Sequence, residues 1–449
     1  MSKIRLHGSS SGYTEIAPVA ASGNNTLTLP NDGTIISKDS NGAVGVTSVH
    51  TTNITATGIA TITTAKIGAG VTISESGIEA SGIGITVANI NGGQFSNRNV
   101  IINGACRVAQ RSNLATSQTG YGAVDRFQLL STGASRFTLS QNDGPGVQYG
   151  LPSALKFETT TADSSVAATD YMYLDTRLEG QDLQRFQKGS SDAKQFTLQF
   201  WIKLAVEGTY VVQLFDNDNS RHVVANYTVS SANTWEKKII TFPADTTGSF
   251  DNDNARSLDI RWHFMGGSNY RGGTQQTTWG SIVATNMLEG MGNAVSSTGD
   301  NFITGMQLEV GPQATSFEHR RFGEDLALCQ RYYHVHADGS GLGVSNGETT
   351  VSENATMYSS TEMFCSVNLP CQMRTKPSLE VATGTGWYNT FEKGNVRGGF
   401  TGSNTAINGR ANANTGAIQN TDTGSSTSGS SCIWTTMNAG AKIAFSAEL

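Results

Sequence analysis

The chain has 449 residues, 51 of them glycine, with 15% charged residues and a formal net charge of −6. That length predicts two or three domains rather than one core, and the wealth of Gly, Ser, Thr and Asn fits strands joined by turns better than helices. Lys+Arg number 30 against Asp+Glu 36, with no basic run to neutralise phosphates, which argues against a nucleic-acid binder.

No apolar stretch approaches the roughly 20 residues of a membrane span, and the opening MSKIRLHGSSSGYTEI has no apolar signal-peptide core. Neither membrane insertion nor a cleaved leader is expected. The five cysteines, Cys106, Cys329, Cys365, Cys371 and Cys432, are odd in number and none is spaced CxxC. They predict neither a disulfide framework nor a zinc site, but small buried apolar residues in a protein made in a reducing cytoplasm.

Residues 1–38 open with YTEIAPVA and NTLTLP, split by the turn cluster ASGNN. These read as two short strands with Tyr13, Ile16, Leu27 and Leu29 on one face. A lone hairpin is marginal in water, so this segment is expected to dock on a partner or intertwine with copies of itself; a disordered tail is the alternative. Residues 39–96 repeat Gly-Ile units at Gly58-Ile59-Ala60, Gly77-Ile78-Glu79 and Gly82-Ile83-Gly84, with no Phe, Trp or Tyr from Val44 to Gln94. Isolated Ile and Val on thin strands cannot make a core in one copy, so three chains wound into a β shaft are expected to bury them together. A flexible Gly/Thr linker is the competing reading.

Aromatics and charges return over residues 97–322. FTLQFWIKL alternates, with Phe196, Leu198 and Phe200 on one face and Trp201 on the other. TYVVQLFDNDNSRHVVANYTV predicts a hairpin of strands 210–215 and 222–229 around the turn DNDNS. WEKKIITFP, SLDIRWHFMGG and NFITGMQLEVG follow, and such regularly spaced strands predict one β-sandwich. Residues 323–449 begin with a short helix, then give MFCSVNLP, SLEVATG, SSCIWTTMN and AKIAFSAEL as strands between long polar loops. A second, smaller β-sandwich is expected there, so the chain as a whole reads as all-β.

Three stretches carry a resemblance: NVIINGACRVAQR (99–111), TWEKKIITFPADTTGSF (234–250) and GMQLEVGPQATSFEHRRFGEDLALCQRYYH (305–334). They resemble a domain of tail-fibre and other structural proteins of tailed phages, one that looks like a jelly roll of the carbohydrate-binding-module type. The segment SSSGYTEIAPVAASGNNTLTLPNDG (9–33) and the Gly-Ile repeats are similar to the openings and shafts of virion fibres. The likeness covers roughly residues 9–334. It implies a homotrimeric virion fibre, most readily a tail fibre: residues 1–38 docking on other virion proteins, residues 39–96 as shaft, and two jelly-roll-like sandwiches facing a host-surface glycan or protein receptor. A head fibre or capsid decoration protein is the first alternative, and a polysaccharide-depolymerising spike the second. Within GEDLALCQRYY, Leu326, Cys329, Gln330 and Tyr333 fall on one side of a helix, the side a trimer would turn to its axis.

No catalytic spacing such as HExxH, GxSxG or a P-loop is present, so no enzyme, cofactor or metal is expected. The paired stretches FDNDNSR (215–221) and FDNDNAR (250–256) resemble calcium loops but lack the loop glycine and the distal bidentate acid; Asx turns account for both. Glycan binding needs aromatic plates beside amides. RWHFMGGSNYRGGTQQTTWG supplies Trp262, His263, Tyr270, Gln275, Gln276 and Trp279, with Trp262 divided between a core role and a binding role and with Tyr270 and Trp279 expected to be exposed on loops. GWYNTFEKGNVRGGF adds Trp387, Tyr388, Phe391 and Arg397, suited to recognition or to a trimer interface.

Overall fold

The computed structural model describes residues 4–7, 13–16, 64–67, 71–74, 77–80 and 97–449 except 112, 115–118, 134–135, 340–349, 393–394 and 422–426, with backbone only for the five early strands, Val147, 350–352 and 395–400. The chain divides into two compact units, Met1–Thr86 and Val87–Leu449. Almost every described element is a strand, and the one α-helix among them is the one the sequence predicts.

In the first unit β1 (Ile4–His7) pairs antiparallel with β2 (Tyr13–Ile16), Ile4 opposite Ile16 and His7 opposite Tyr13. YTEI is therefore a strand, with IRLH as its partner; NTLTLP lies outside the described residues. From the Gly-Ile region, β3 (Thr64–Ile67), β4 (Val71–Ser74) and β5 (Gly77–Ala80) form an antiparallel meander. Its register sets Ala65, Ile73 and Ile78 in one row and Ile67, Val71 and Ala80 in the next.

The second unit starts with two packed antiparallel sheets. One is seven-stranded, in the order β16 (Gly280–Ser281), β13 (Arg221–Val229), β12 (Gly208–Asp216), β15 (Arg256–Gly266), β10 (Tyr171–Glu179), β7 (Gln128–Ser131), β6 (Gly120–Tyr121). The other is five-stranded: β14 (Glu236–Phe242), β11 (Phe196–Lys203), β17 (Gly299–Val310), β9 (Leu151–Thr161), β8 (Arg136–Gly146). Period-two alternation fills the space between them. Phe196, Leu198 and Phe200 of β11 meet Leu174, Leu258, Ile260 and Trp262 in one core, each fully buried Phe or Leu contributing about 1.5–3 kcal/mol. The predicted hairpin is present as β12 and β13, with Phe215 opposite His222.

Two of the stretches that carry the resemblance interlock. Asn99 donates its side-chain amide to Met306 O at 3.0 Å, and the Leu308 N–H donates to Asn99 Oδ1 at 3.2 Å. Gly104 lies so close to this strand that a Cβ would sit 2.0 Å from Met306 O. Gly305 takes φ +61°, the left-handed region, at the irregular register where Gln199 faces Gln307 and Trp201 faces Thr304. Glycine is the residue that meets both demands without strain.

The third stretch supplies an ion cluster. The buried Lys188 Nζ lies 2.5 Å from Asp216 Oδ2 and 3.1 Å from Asp245 Oδ2. It also donates to the Thr247 and Gly248 carbonyls at 3.1 and 2.6 Å. Burial alone would raise the Asp245 pKa, but Arg221 and Lys188 outweigh it and hold the group below its usual value. The Asx-rich turns beside this ammonium cap backbone: Asp216 accepts from the Asn219 N–H, Asp218 from that of Asp251 and Asp253 from that of Ala255.

The helix α1 (Phe322–Gln330) has Glu324 and Asp325 in its first turn, where the helix dipole favours acids. It ends before Tyr333, which opens the strand β18 (Tyr333–Asp338) and so does not belong to the helix. Cys329 is fully buried against Ile102, Val108 and Tyr332. Of the side expected to face a trimer axis, Cys329 and Leu326 pack with Ile102 and Val108 of the first sandwich.

Beyond α1 lie two further sheets. β18 pairs with β27 (Lys442–Ser446), which pairs with β21 (Ser378–Val381). The larger sheet runs β23 (Asn395–Phe400), β22 (Tyr388–Glu392), β26 (Ser431–Thr436), β19 (Thr350–Met357), β20 (Met363–Asn368), β25 (Thr415–Asn420), β24 (Thr405–Ile407). The sequence reads residues 402–431 as loop, yet β24 and β25 form there, because the alternation around Ile418 puts that side chain in the core opposite Cys365. All five cysteines are unpaired, four of them buried. Burial pushes the Cys106 and Cys365 thiols up to about 12, which keeps them protonated and inert.

The two sandwiches of this unit share a polar junction. Arg331 grips Glu179 with two hydrogen bonds of 2.7 Å, and the Tyr332 hydroxyl donates to the same carboxylate. Arg126 stacks 3.4 Å over the Tyr332 ring and pairs with Glu448, which Arg111 also meets at 3.2 Å.

Candidate functional site on the outward face of the first seven-stranded sheet

Strand β10 reads YMYLDTRLE. Met172, Leu174, Thr176 and Leu178 point into the core, so Tyr171, Tyr173, Asp175, Arg177 and Glu179 point outward. The register extends this face across the sheet. One row is Leu130, Tyr173, His263, Val211 and Asn226. The next is Gln128, Asp175, Arg261, Gln213 and Val224, and the third is Arg177, Asp259, Phe215 and His222.

A chain of hydrogen bonds links these side chains. His222 Nδ1 lies 2.8 Å from Gln213 Nε2, and its Nε2 lies 2.8 Å from Gln276 Oε1. The amide NH2 of Gln213 donates, so His222 accepts at Nδ1 and donates from Nε2. Gln213 Oε1 then accepts from His263 Nε2 at 3.2 Å and from Arg261 at 3.4 Å. Arg261 and Arg256 both bind Asp259, with contacts of 2.6 Å, and Arg177 binds Asp175 at 3.3 Å.

Aromatic rings border this network. Tyr171 and Tyr173 stack at 5.5 Å, Tyr270 meets Tyr171 edge-on at 6.2 Å, and Arg261 lies between Tyr173 at 5.3 Å and Phe215 at 4.4 Å.

Among the described residues, three buried polar atoms on the face have no partner: Gln128 Nε2, Asp175 Oδ1 and His263 Nδ1. The electrostatics match. Burial, then Asp259, raises Asp175 to about 6 against the pull of Arg177 and Arg261. Burial, with Arg261 and His222, lowers His263 to about 3. His263 is therefore neutral near pH 7, and its Nδ1 offers a bare lone pair. One donor and two acceptors thus await partners beside a pair of tyrosines. A buried polar group left unpaired costs about 1–3 kcal/mol; the half-buried Tyr171 and Tyr173 rings beside these atoms are the accessible part of the face, and aromatic rings bordering polar groups suit a ligand rich in hydroxyls.

The sequence-predicted residues divide. Tyr270, Gln275 and Gln276 gather at this face: Tyr270 against Tyr171, Gln275 on Asn226, Gln276 on His222. Trp262 points the other way and is fully buried, edge-on to Phe200 at 6.0 Å. Trp279, expected on an exposed loop, is 9% exposed. Its ring packs 5.7 Å from Phe196 and 5.1 Å from Lys188, and its Nε1 donates to Pro243 O at 2.9 Å, so it is a core residue.

In the second sandwich Tyr388 is fully buried, its hydroxyl donating to Ala382 O at 2.6 Å. Trp387 packs half-buried against the second core, over Gly384 and Gly440. Phe391 is half-buried opposite Ile433, and the Arg397 side chain lies outside the described residues. Of the residues that sequence reasoning missed, Tyr171, Tyr173 and Asp175 had a signal, because YMYLDTRLE alternates apolar with hydrogen-bonding residues except at Thr176; Gln213 and Arg261 lie on other strands.

No protein-family model matches the chain, and no curated protein matches it. Among solved structures it is similar to the enzymatically active domain of tailspike protein 4 of bacteriophage CBA120, at 11% identity and a TM-score of 0.28 over 47% of this chain and 21% of that one. It is also similar to a family 11 carbohydrate-binding module of Clostridium thermocellum in complex with a β-1,3-1,4-mixed-linked tetrasaccharide, at 12% identity and 0.24 over 46% and 99%. A third is TmCBM61 in complex with β-1,4-galactotriose, at 8% and 0.24 over 48% and 99%. At these scores the likeness carries no functional argument. No helix among the described residues is long and apolar enough to cross a membrane.

Proposed function

We propose that this chain is a structural fibre protein of a phage virion, most readily of the tail, which binds host-surface glycan on the outward face of its first seven-stranded sheet. The observation that carries the glycan reading is the half-buried, stacked Tyr171–Tyr173 pair bordering the polar network of Asp175, Gln213, Arg261 and His263. The fibre reading is supported by the resemblance of residues 9–334 to virion fibres. A homotrimer would present three such faces at once, and avidity raises apparent affinity by roughly 10²–10⁴ without new contacts. Binding without cleavage is the activity this reading requires.

The test is to incubate the full chain, and its Tyr173→Ala variant, with host surface polysaccharides. Retention by the wild type, loss in the variant and unchanged polymer length are expected. Retention that survives Tyr173→Ala would move the site elsewhere, and shortened polymer would make the chain a depolymerase. The mass of the purified chain in solution tests the trimer.

A further inference from the structure

A cavity of about 520 Å³, open to solvent, lies between the two sandwiches of the second unit. Its wall from the first sandwich includes Arg111, Asn113 and Tyr121, and its wall from the second includes Tyr333, Glu380 and Lys442. Arg111 is held flat, 3.5 Å from the Tyr333 ring centroid and 5.5 Å from that of Tyr121. One of its terminal nitrogens meets Glu448 at 3.2 Å. Its Nε is buried, without a partner among the described residues, on a side chain only 7% exposed. Lys442 donates to Gln110 O at 2.6 Å and, among the described residues, has no carboxylate within salt-bridge distance. Burial lowers its pKa, with Arg111 pushing the same way and Asp338, Asp125 and Glu380 opposing, so the cavity offers an ammonium that carboxylates steady from a distance and none engages directly. Leu114, Val381 and Ala382 complete the wall with apolar surface.

We propose that this cavity is a second binding site, for a carboxylate-bearing sugar such as a uronate unit of an acidic polysaccharide. Arg111 Nε and Lys442 Nζ take the carboxylate, as charge-assisted donors. Tyr121, Leu114 and Val381 cover the apolar side of the ring, and Asn113 and Glu380 meet hydroxyls. The apolar wall and the volume distinguish a sugar acid from a bare anion, which needs neither. The site borders the sheet face, where Tyr121 extends the row of Gln128 and Asp175, and Tyr173→Ala separates the two.

Calorimetric titration of the full chain with oligogalacturonate, with a neutral oligogalactose of equal length and with inorganic phosphate tests the assignment. Oligogalacturonate should bind, weakening as salt is added, and the neutral sugar should bind at least roughly tenfold more weakly. Lys442→Gln should weaken oligogalacturonate by roughly tenfold or more, the worth of one hydrogen bond to a charged group, while Lys442→Arg keeps binding. Glu380→Gln, at an exposed strand position, removes the one acid of the wall and should tighten binding roughly two- to fivefold; this variant decides the matter if Lys442→Gln fails to fold. Tyr173→Ala, which disables the sheet face, should leave oligogalacturonate within about twofold. Equal binding of neutral and acidic sugars, phosphate binding as tightly as the uronate, no uronate binding, or indifference to Lys442→Gln and Glu380→Gln would each overturn the proposal.

Discussion

The second unit contains two seven-stranded antiparallel sheets, and their outward faces differ. On the first, outward positions hold Asp175, Arg177, His222, Asp259, Arg261 and His263, most of them buried or half-buried and bound to one another. On the second, the outward positions of β19, β20 and β25 hold Asn354, Thr356, Phe364, Ser366, Thr415 and Ala417, half of them exposed and most of them small. The strand count and the alternation are the same. Side chains fixed by a network present donors and acceptors in set directions, whereas small exposed ones are satisfied by water. Pre-organisation, not the sheet, makes a recognition surface.

The largest test of this contrast lies beside the face. The first sandwich depends on a buried ammonium, and no lysine is buried among the described residues of the second. Lys188→Met leaves the buried Asp216 without its cation, while Asp245 keeps Arg221, and should cost about 3–5 kcal/mol, read as a shift in the urea midpoint at constant slope. A loss under about 1 kcal/mol would show that the pair is solvated and that the first sandwich is no more dependent on charge than the second.

Acid stability is the next test. His263 has a folded pKa lowered to about 3, below its unfolded value of about 6.5. Its contribution to stability is present above that unfolded value and is lost as pH falls through the window toward 3. Asp175 has the opposite sign: raised to about 6, it favours the folded state when protonated, and stability falls as pH rises from about 4 to 6. His263→Gln should therefore flatten the acid limb of the stability curve and Asp175→Asn should steepen it. Two variants with identical limbs would contradict the burial assigned to these groups.

Smaller effects compare the faces directly. Tyr173→Ala should reduce glycan affinity by roughly tenfold, about 1.4 kcal/mol. Phe364→Ala on the second sheet should change it less than about twofold and stability by about 0.5 kcal/mol or less if the ring is only solvated there. The reverse ranking would exchange the roles of the two sheets.

Much of the fold was legible in the residues. Alternation placed β11, the β12–β13 hairpin, β20 and β26, and acids in the first turn marked α1, because period-two burial and helix dipoles are local properties. Pairing partners were not legible: the β1 partner of YTEI and the strands β24 and β25 depend on which distant chain covers an apolar face. The site was legible in part. Turn composition singled out Tyr270, Gln275 and Gln276, which border the candidate face, and Trp279 was misplaced by the same signal because its ring folds back over Phe196 and Lys188. Trp262 and Tyr388 were over-read because aromatic identity says nothing about direction. Tyr173 and Gln213 needed the register of three strands to become neighbours.

Hydrogen–deuterium exchange of the full chain with and without a bound host oligosaccharide tests the central claim most directly. Protection confined to Tyr171–Glu179, Gly208–Asp216 and Arg256–Gly266 is the predicted result. Protection of Thr350–Met357 and Met363–Asn368 with those three strands unchanged would contradict it.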